Sequence, residues 1–452
     1  MFNSIQELSD ALRRGQYTPL DLTERYLSRI EQCSDANSIF RLVLAERARI
    51  DAIASGERYQ TNSILSAIDG IPLAWKDNIK IAGTPTSNGV PKLAETRSTV
   101  NAEIYQKGVD LGTICIGKTN MNELAFSGLG VNNNFGTPKN PFDKKFHRIP
   151  GGSSSGSAVA VARSLVPAAI GTDTGGSVRI PAAWNNLVGL KTTAGLISTK
   201  GIIPLSTSLD TVGFLTNSVS DSALLFEAFC GNKIVDIDAL TLEDITLIDC
   251  QNVVQNEIDP SVKLIYQRAL DTLKKRGAVI KSEVFPEIEK VFDISKNEGN
   301  IIAYEARNNW LEFVENNPGA ISPEIEDRIK IRMDLTSHDM AIIGAKIASL
   351  SKQFLERASE GIAVVMPTVA IVPPKLSYVN ASLDNFASTN MMALRNTRIA
   401  NLLGLCSISL PAGFTSDGFP VGLMLNCPPF HDKNLILAAR AIEKSLQEYY
   451  RE

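Results

Sequence analysis

Two glycine–serine loops carry the residue types of a covalent hydrolase, and their key serines, Ser153 and Ser177, lie 24 positions apart. The first loop runs from Gly151 to Ser157 and the second from Gly171 to Ser177. Two glycines, Gly175 and Gly176, stand immediately before Ser177. Glycine permits a sharp bend and lets successive backbone N–H groups converge on one point. A serine beside converging donors is a candidate nucleophile with an oxyanion hole around it. Such a serine needs a base. The three histidines, His147, His338 and His431, show no metal-ligand spacing, and none stands in an apolar, glycine-flanked setting. Lys76 does: it ends the run Ile71-Pro72-Leu73-Ala74-Trp75 and is followed by Asp77, Asn78 and Ile79. Lysines avoid full burial unless paired or functional. A neutral lysine acts as a base, which requires moving its pKa from about 10.4 to near 7, at roughly 4 kcal/mol. Desolvation by Leu73, Trp75 and Ile79 contributes to that shift.

Other readings of the same stretch stay in view. Glycine–serine sequence often forms linkers, but here it abuts Ala158-Val-Ala-Val-Ala162 and Val166-Pro-Ala-Ala-Ile170, which must be buried. Neither loop has the Gly-Lys-Ser/Thr ending of a phosphate loop. Gly152-Ser-Ser154-Ser-Gly156 matches GxSxG, which would make Ser154 the nucleophile of an esterase of the α/β-hydrolase type. That elbow requires an apolar strand ahead of it, and the chain supplies Phe146-His-Arg-Ile-Pro150.

The elements around these loops are legible in outline. Ala158 to Ile170 has room for about three turns of helix and a short exit, with Ser153 or a neighbouring serine as N-cap. Ser4 and Glu7 read as a capping box, with Gly15 closing the helix. Thr18, Pro19 and Asp21 start another helix, striped by Leu22, Tyr26, Leu27 and Ile30. Thr113 to Gly117 reads as a buried strand and residues 219 to 229 as a helix. Residues 245 to 287 read as strand, helix, strand, the helix running from an Asp259 cap through Lys275. Gly361 to Pro367 is a further buried strand. Residues 1–65 are expected to be a helical arm packed on a body formed by 66–452.

Bulk properties narrow the class. The chain has 452 residues, is 44% hydrophobic and 21% charged, and carries a net charge of −4, so it reads as a globular protein with a large core and no electrostatic preference for nucleic acid. Length alone allows two or three domains. The six cysteines are scattered without CxxC, as expected of buried thiols in a reducing, cytoplasmic setting rather than a disulfide frame or metal site. No secretory signal or long apolar run is present, so no membrane association is expected.

With these residues in hand, the two loops resemble the amidase signature family of serine hydrolases, whose pattern is GGSS(G/S)GS followed after about twenty residues by GTDTGGS(I/V)R.P. Lys118-Thr-Asn-Met121-Asn-Glu-Leu-Ala125, Val188-Gly-Leu-Lys191, Ser208-Leu-Asp-Thr-Val-Gly213 and the segment from Asn396 to Met424 resemble further stretches of that family. Thr192 and Cys406 stand where the family usually has proline, and Ser155 where it often has glycine. The resemblance covers about residues 5 to 445 and weakens between 235 and 390.

The resemblance implies a single large α/β domain with a mixed central sheet covered by helices. It implies a triad of Lys76 as base, Ser153 as bridging serine after a cis peptide, and Ser177 as nucleophile. The backbone N–H groups of Thr174, Gly175, Gly176 and Ser177 would form the oxyanion hole, and Met121, Phe126, Ser127 and Gly128 would line the substrate pocket. Asp173 and Arg179 read as structural, a pair that holds the loop, with a direct substrate role as the alternative. No metal or cofactor is implied. The activity implied is hydrolysis of a small-molecule carboxylic amide to an acid plus ammonia or amine. The alternative is the glutamine-hydrolysing member of a tRNA-dependent amidotransferase complex, the one reading that brings in nucleic acid. Glu123-Leu-Ala-Phe-Ser-Gly-Leu-Gly130, and Thr211 in the Ser208–Gly213 stretch, depart from the usual pattern of those amidotransferase proteins and favour a free-standing enzyme. A homodimer stays open.

Overall fold

Residues 76 and 172 meet because of the order in which one sheet assembles. The computed structural model describes residues 4–449. Its strands are β1 (Phe40–Val43), β2 (Pro72–Lys76), β3 (Ile114–Thr119), β4 (Ala168–Asp173), β5 (Val188–Lys191), β6 (Thr211–Thr216), β7 (Thr246–Cys250), β8 (Val279–Glu283), β9 (Ala363–Pro367), β10 (Cys406–Phe414) and β11 (Pro420–Cys427). All join a single 11-stranded sheet in the order β1-β3-β2-β4-β6-β5-β10-β11-β9-β7-β8. The sheet is mixed. β2 runs parallel to both β3 and β4, and β7 parallel to both β8 and β9, while the β4-β6-β5-β10-β11-β9 stretch is antiparallel.

β2, β3 and β4 are buried at every residue. Strands covered on both faces read as continuous apolar runs rather than alternating ones, as Pro72-Leu-Ala-Trp75 does. Trp75 packs edge-on against Tyr105, with ring centroids 5.0 Å apart. Side chains of this size each stabilise by about 1.5–3 kcal/mol on burial. The helices Val219–Cys230, Pro260–Lys275 and Asp432–Tyr449 pack against β6, β10 and β11.

The early helices begin where their caps lie. Ser4 and Glu7 form a reciprocal capping box on Ile5–Arg13, and Thr18 and Asp21 form another on Pro19–Glu31. Ile5, Leu8, Leu22 and Tyr26 from these helices belong to the same apolar cluster as Leu73 and Trp75 of β2. The unit from 246 to 283 forms as expected, with β7 and β8 paired in parallel around the helix Pro260–Lys275, capped by Asp259.

Two local expectations are corrected. The helix of about three turns expected within 158–170 starts earlier and is shorter: it spans Ser155–Ala162, and the end of the run becomes the start of β4. Its N-cap is a serine of the first loop, as expected, but it is Ser154, it makes no side-chain capping bond, and Ser153 faces Lys76. The six cysteines are all free; five are buried and Cys230 is half-buried. No helix of the described residues is long and apolar enough to cross a membrane, and no group of three metal-ligating side chains occurs among them.

Candidate active site

Lys76 is the last residue of β2. Trp75 pairs with Ile170, so the carboxyl ends of β2 and β4 open side by side. That is where open α/β sheets characteristically place their sites. The Lys76 ammonium donates to Ser153 Oγ at 2.7 Å, to Thr172 Oγ1 at 2.8 Å and to the Thr172 carbonyl at 3.3 Å. The side chain is fully buried and forms no ion pair with any described residue. Burial pulls its pKa down to about 7, against the opposing pull of the Asp210 and Asp173 carboxylates.

Ser153 follows a cis peptide bond from Gly152. Gly152 has no room for a side chain: a Cβ there would fall 2.1 Å from Asn122 Oδ1. The next residue ties the loops together, because the Ser154 N–H donates to the Ser177 carbonyl at 3.2 Å. Ser177 is buried to 4% exposure, and its hydroxyl has no hydrogen-bond partner among the described residues.

Asp173 shapes the second loop. Its carboxylate accepts from the Gly176 N–H at 2.8 Å, the Val178 N–H at 3.0 Å and Asn401 Nδ2 at 2.9 Å. It also takes a forked pair from Arg179, Nη2 at 2.9 Å and Nε at 3.1 Å. Burial acts to raise this carboxyl, but the Arg179 guanidinium, helped by Lys191 and Asn401, outweighs it and holds Asp173 well below the usual carboxylate range. The pairing of Asp173 with Arg179 is therefore present. It has a cost for the expected oxyanion hole. The Gly176 N–H is already committed to Asp173, which leaves the N–H groups of Thr174, Gly175 and Ser177.

The remaining titratable groups divide cleanly. All three histidines are exposed. Lys118 and Lys191 are buried like Lys76, but Lys118 pairs with Asp77 at 2.6 Å and Lys191 donates to the Thr192 carbonyl at 2.9 Å. Of the three amines only that of Lys76 touches a serine hydroxyl. Asp210 accepts from Thr174 Oγ1 at 2.5 Å and from the Leu205 N–H at 2.9 Å, and burial pushes its pKa up to about 6. Sequence reasoning singles out neither Thr172 nor Asp210 for a role. The only available signal is their position in the motif stretches, because their partners lie far along the chain.

A cavity of about 670 Å³ opens beside this cluster, walled by Phe126, Gly175, Ile302, Asn390 and Leu394 among others. Of the four residues expected to bind substrate, Phe126 lines it directly. Ser127 Oγ and the Gly128 N–H donate to Asn390 Oδ1 at 3.2 and 2.8 Å, behind the wall. Met121 is fully buried and does not reach the cavity. The GxSxG elbow is not formed. No strand covers residues 146–150, where only an isolated Arg148–Lys375 bridge occurs, and Ser154 Oγ donates to the Thr172 carbonyl at 3.3 Å.

A family model described as Amidase matches residues 21–436. The chain is 32% identical to a 2-amino-5-chloromuconic acid deaminase of Comamonas testosteroni, over 97% of this chain and 95% of that protein. It is 30% identical to the A subunit of the glutamyl-tRNA(Gln) amidotransferase of Thermosynechococcus vestitus, over 98% and 97%. Among solved structures, an amidase superposes with a TM-score of 0.87 at 28% identity, covering 98% of this chain and 99% of that one.

Proposed function

The chain belongs to the amidase family and is an amide-hydrolysing enzyme, and we propose that it works through Ser177, Ser153 and Lys76 on a small-molecule amide. Ser177 Oγ attacks the amide carbonyl and gives its proton to Ser153, whose own proton passes to neutral Lys76. The backbone N–H groups of Thr174, Gly175 and Ser177 receive the oxyanion, each donor typically worth about 3 kcal/mol. The relay then runs in reverse, and the leaving nitrogen departs protonated. Water enters by the same path and cleaves the acyl-enzyme. Phe126 faces the substrate, with Ser127 and Gly128 supporting the wall through Asn390.

The observation that carries this reading is the 2.7 Å contact between Lys76 Nζ and Ser153 Oγ, with an amine whose pKa lies at about 7. The test is a panel of aliphatic, aryl and amino-acid amides, glutamine included, run with the wild type and with Ser177→Ala. Hydrolysis is expected to fall by about 10³-fold or more in the variant while its thermal unfolding stays unchanged. Retained hydrolysis would overturn the reading.

The 30% identity to an amidotransferase protein supports a second reading, in which this chain makes ammonia for a partner. Co-purification of that partner, or glutaminase activity that depends on tRNA, would favour it. A free-standing enzyme accounts better for the Glu123–Gly130 and Ser208–Gly213 stretches. The free cysteines support a cytoplasmic location.

A further inference from the structure

We propose that Arg328 and Arg398 form a carboxylate-binding site in the wall of the 670 Å³ cavity, so that the preferred substrate is an amide bearing a carboxylate at its far end. The inference rests on the cavity being the substrate site of the hydrolase just described.

Both guanidiniums lack a hydrogen-bonding or ionic partner. Neither donates a hydrogen bond to, or forms an ion pair with, any described residue, and the Nε of each is shut off from solvent and unsatisfied. Arg179, Arg307 and Arg395, enclosed elsewhere in the fold, are engaged. Arg179 holds Asp173 and Asn401, Arg307 donates to the carbonyls of Arg332 and Leu335, and Arg395 donates to the Val254 carbonyl at 2.9 Å. A guanidinium presents five donors in a fixed fork and cannot escape its charge by deprotonating. Each side chain is half-buried with its Nε closed off, and leaving such a donor unpaired is costly unless a ligand supplies an acceptor.

The pair is also held in place. Arg328 stacks over the ring of Phe126, 4.2 Å from its centroid, and Arg398 over Phe292 at 4.5 Å. Such stacking orients the fork and leaves its edge free. Arg398 is near enough that its charge adds to burial in pulling Arg328 down to about 10. Glu324 lies one helical turn before Arg328 in Pro323–Ile329 yet forms no ion pair with it. Arg332, also on the wall, is occupied by Asp334 at 2.9 Å. Glu324, Asp327 and Asp384 also line the cavity, but none forms an ion pair with either arginine, and two guanidiniums left open on one wall match a carboxylate, which accepts guanidinium donors in pairs.

The site has a fixed relation to the nucleophile. A Cβ on Gly175 would meet Leu394, Ile302 and the Arg398 Cβ at 3.6 to 3.8 Å. The residue before Arg398 is tied to the same loop, since Thr397 Oγ1 donates to the Gly175 carbonyl at 2.7 Å. Arg398 thus flanks the loop that ends in Ser177, and Arg328 lines the same cavity over the ring of Phe126. The amide is bound near Gly175 and the carboxylate at the two arginines.

The test is calorimetric binding to the Ser177→Ala protein, which needs no turnover. The probes are the monoamides of malonic, succinic, glutaric and adipic acids, each paired with its neutral diamide. At least one monoamide is expected to bind tenfold or more tighter than its diamide. That preference should drop at least tenfold in both Arg328→Met and Arg398→Met and recover in part in Arg328→Lys. If no monoamide is preferred, or if the preference survives both methionine variants, the inference is overturned. Arg328→Gln and Arg398→Gln replace any methionine variant that fails to fold. A carboxylate preference in binding, with no hydrolysis of any amide by the wild type, would overturn the hydrolase reading and leave the anion site standing.

Discussion

The Lys76 amine lies 2.7 Å from the Ser153 hydroxyl, between residues 77 positions apart in the chain, and no carboxylate pairs with that amine. A buried amine without a counter-ion favours its neutral form. The proposed chemistry follows from that one preference.

In the proposed mechanism, activity is therefore set by deprotonation of Lys76. With its pKa at about 7, kcat/KM is expected to rise with pH through about 7 and then level off. The same shift affects folding. The unfolded lysine titrates near 10.4, so between about 7 and 10.4 the unfolded chain binds more protons and stability climbs with pH. Lys76→Met should abolish the rate and lessen the climb, most clearly between about pH 7 and 8, while Lys191, which burial pulls down to about 8, keeps its own share above that, as read by denaturant unfolding across about pH 6–10. A rate profile flat through neutral pH would contradict the assignment.

The ion pair between Asp173 and Arg179 is fully buried on both sides, with the nearest contact at 2.9 Å. Removing one member strands the other, so Arg179→Met is expected to cost about 3–5 kcal/mol of stability. The carboxyl is held low in the folded state, so the pair's contribution is complete above about pH 4 and is lost progressively as pH falls from the unfolded value toward the lower folded one. Urea unfolding at about pH 7 and about pH 3 measures both, and the gap between wild type and the Asp173→Asn/Arg179→Met double variant should shrink at the lower pH.

Gly176 has φ of +135°, and a Cβ there would fall 2.1 Å from Thr397 Oγ1. Gly176→Ala is expected to destabilise the protein by more than about 1 kcal/mol, and to lower kcat at least tenfold by displacing the N–H groups beside Ser177. Thermal unfolding and steady-state kinetics check the two effects separately. Full activity in this variant would show that the loop tolerates a shift the mechanism forbids.

How much can be read from the sequence depends on how local the cause is. The capping boxes at Ser4 and Thr18 and the Asp259-capped helix involve residues a few positions apart, and all appear as expected. The two glycine–serine loops are also legible, because their chemistry is written in adjacent residues. The run from Ala158 to Ile170 misleads because an all-buried helix and an all-buried strand have the same composition and no amphipathic period. Capping is the local reading of Ser153, a role its hydroxyl gives up for Lys76. Thr172, Asp210, Arg328 and Arg398 are hidden for another reason. A charged or hydroxyl side chain in isolation reads as solvated surface, and only the fold reveals which of them lack water.

Everything proposed for the reaction requires that Ser177 be the nucleophile and that Lys76 activate it through Ser153. Labelling with a fluorophosphonate, followed by peptide mass spectrometry, reads both requirements without any need to know the substrate. The expected outcome is a single adduct on Ser177, absent in Ser177→Ala and formed at least a hundredfold more slowly in Lys76→Ala. An adduct on Ser154, or labelling of Ser177 at an unchanged rate without Lys76, would contradict it.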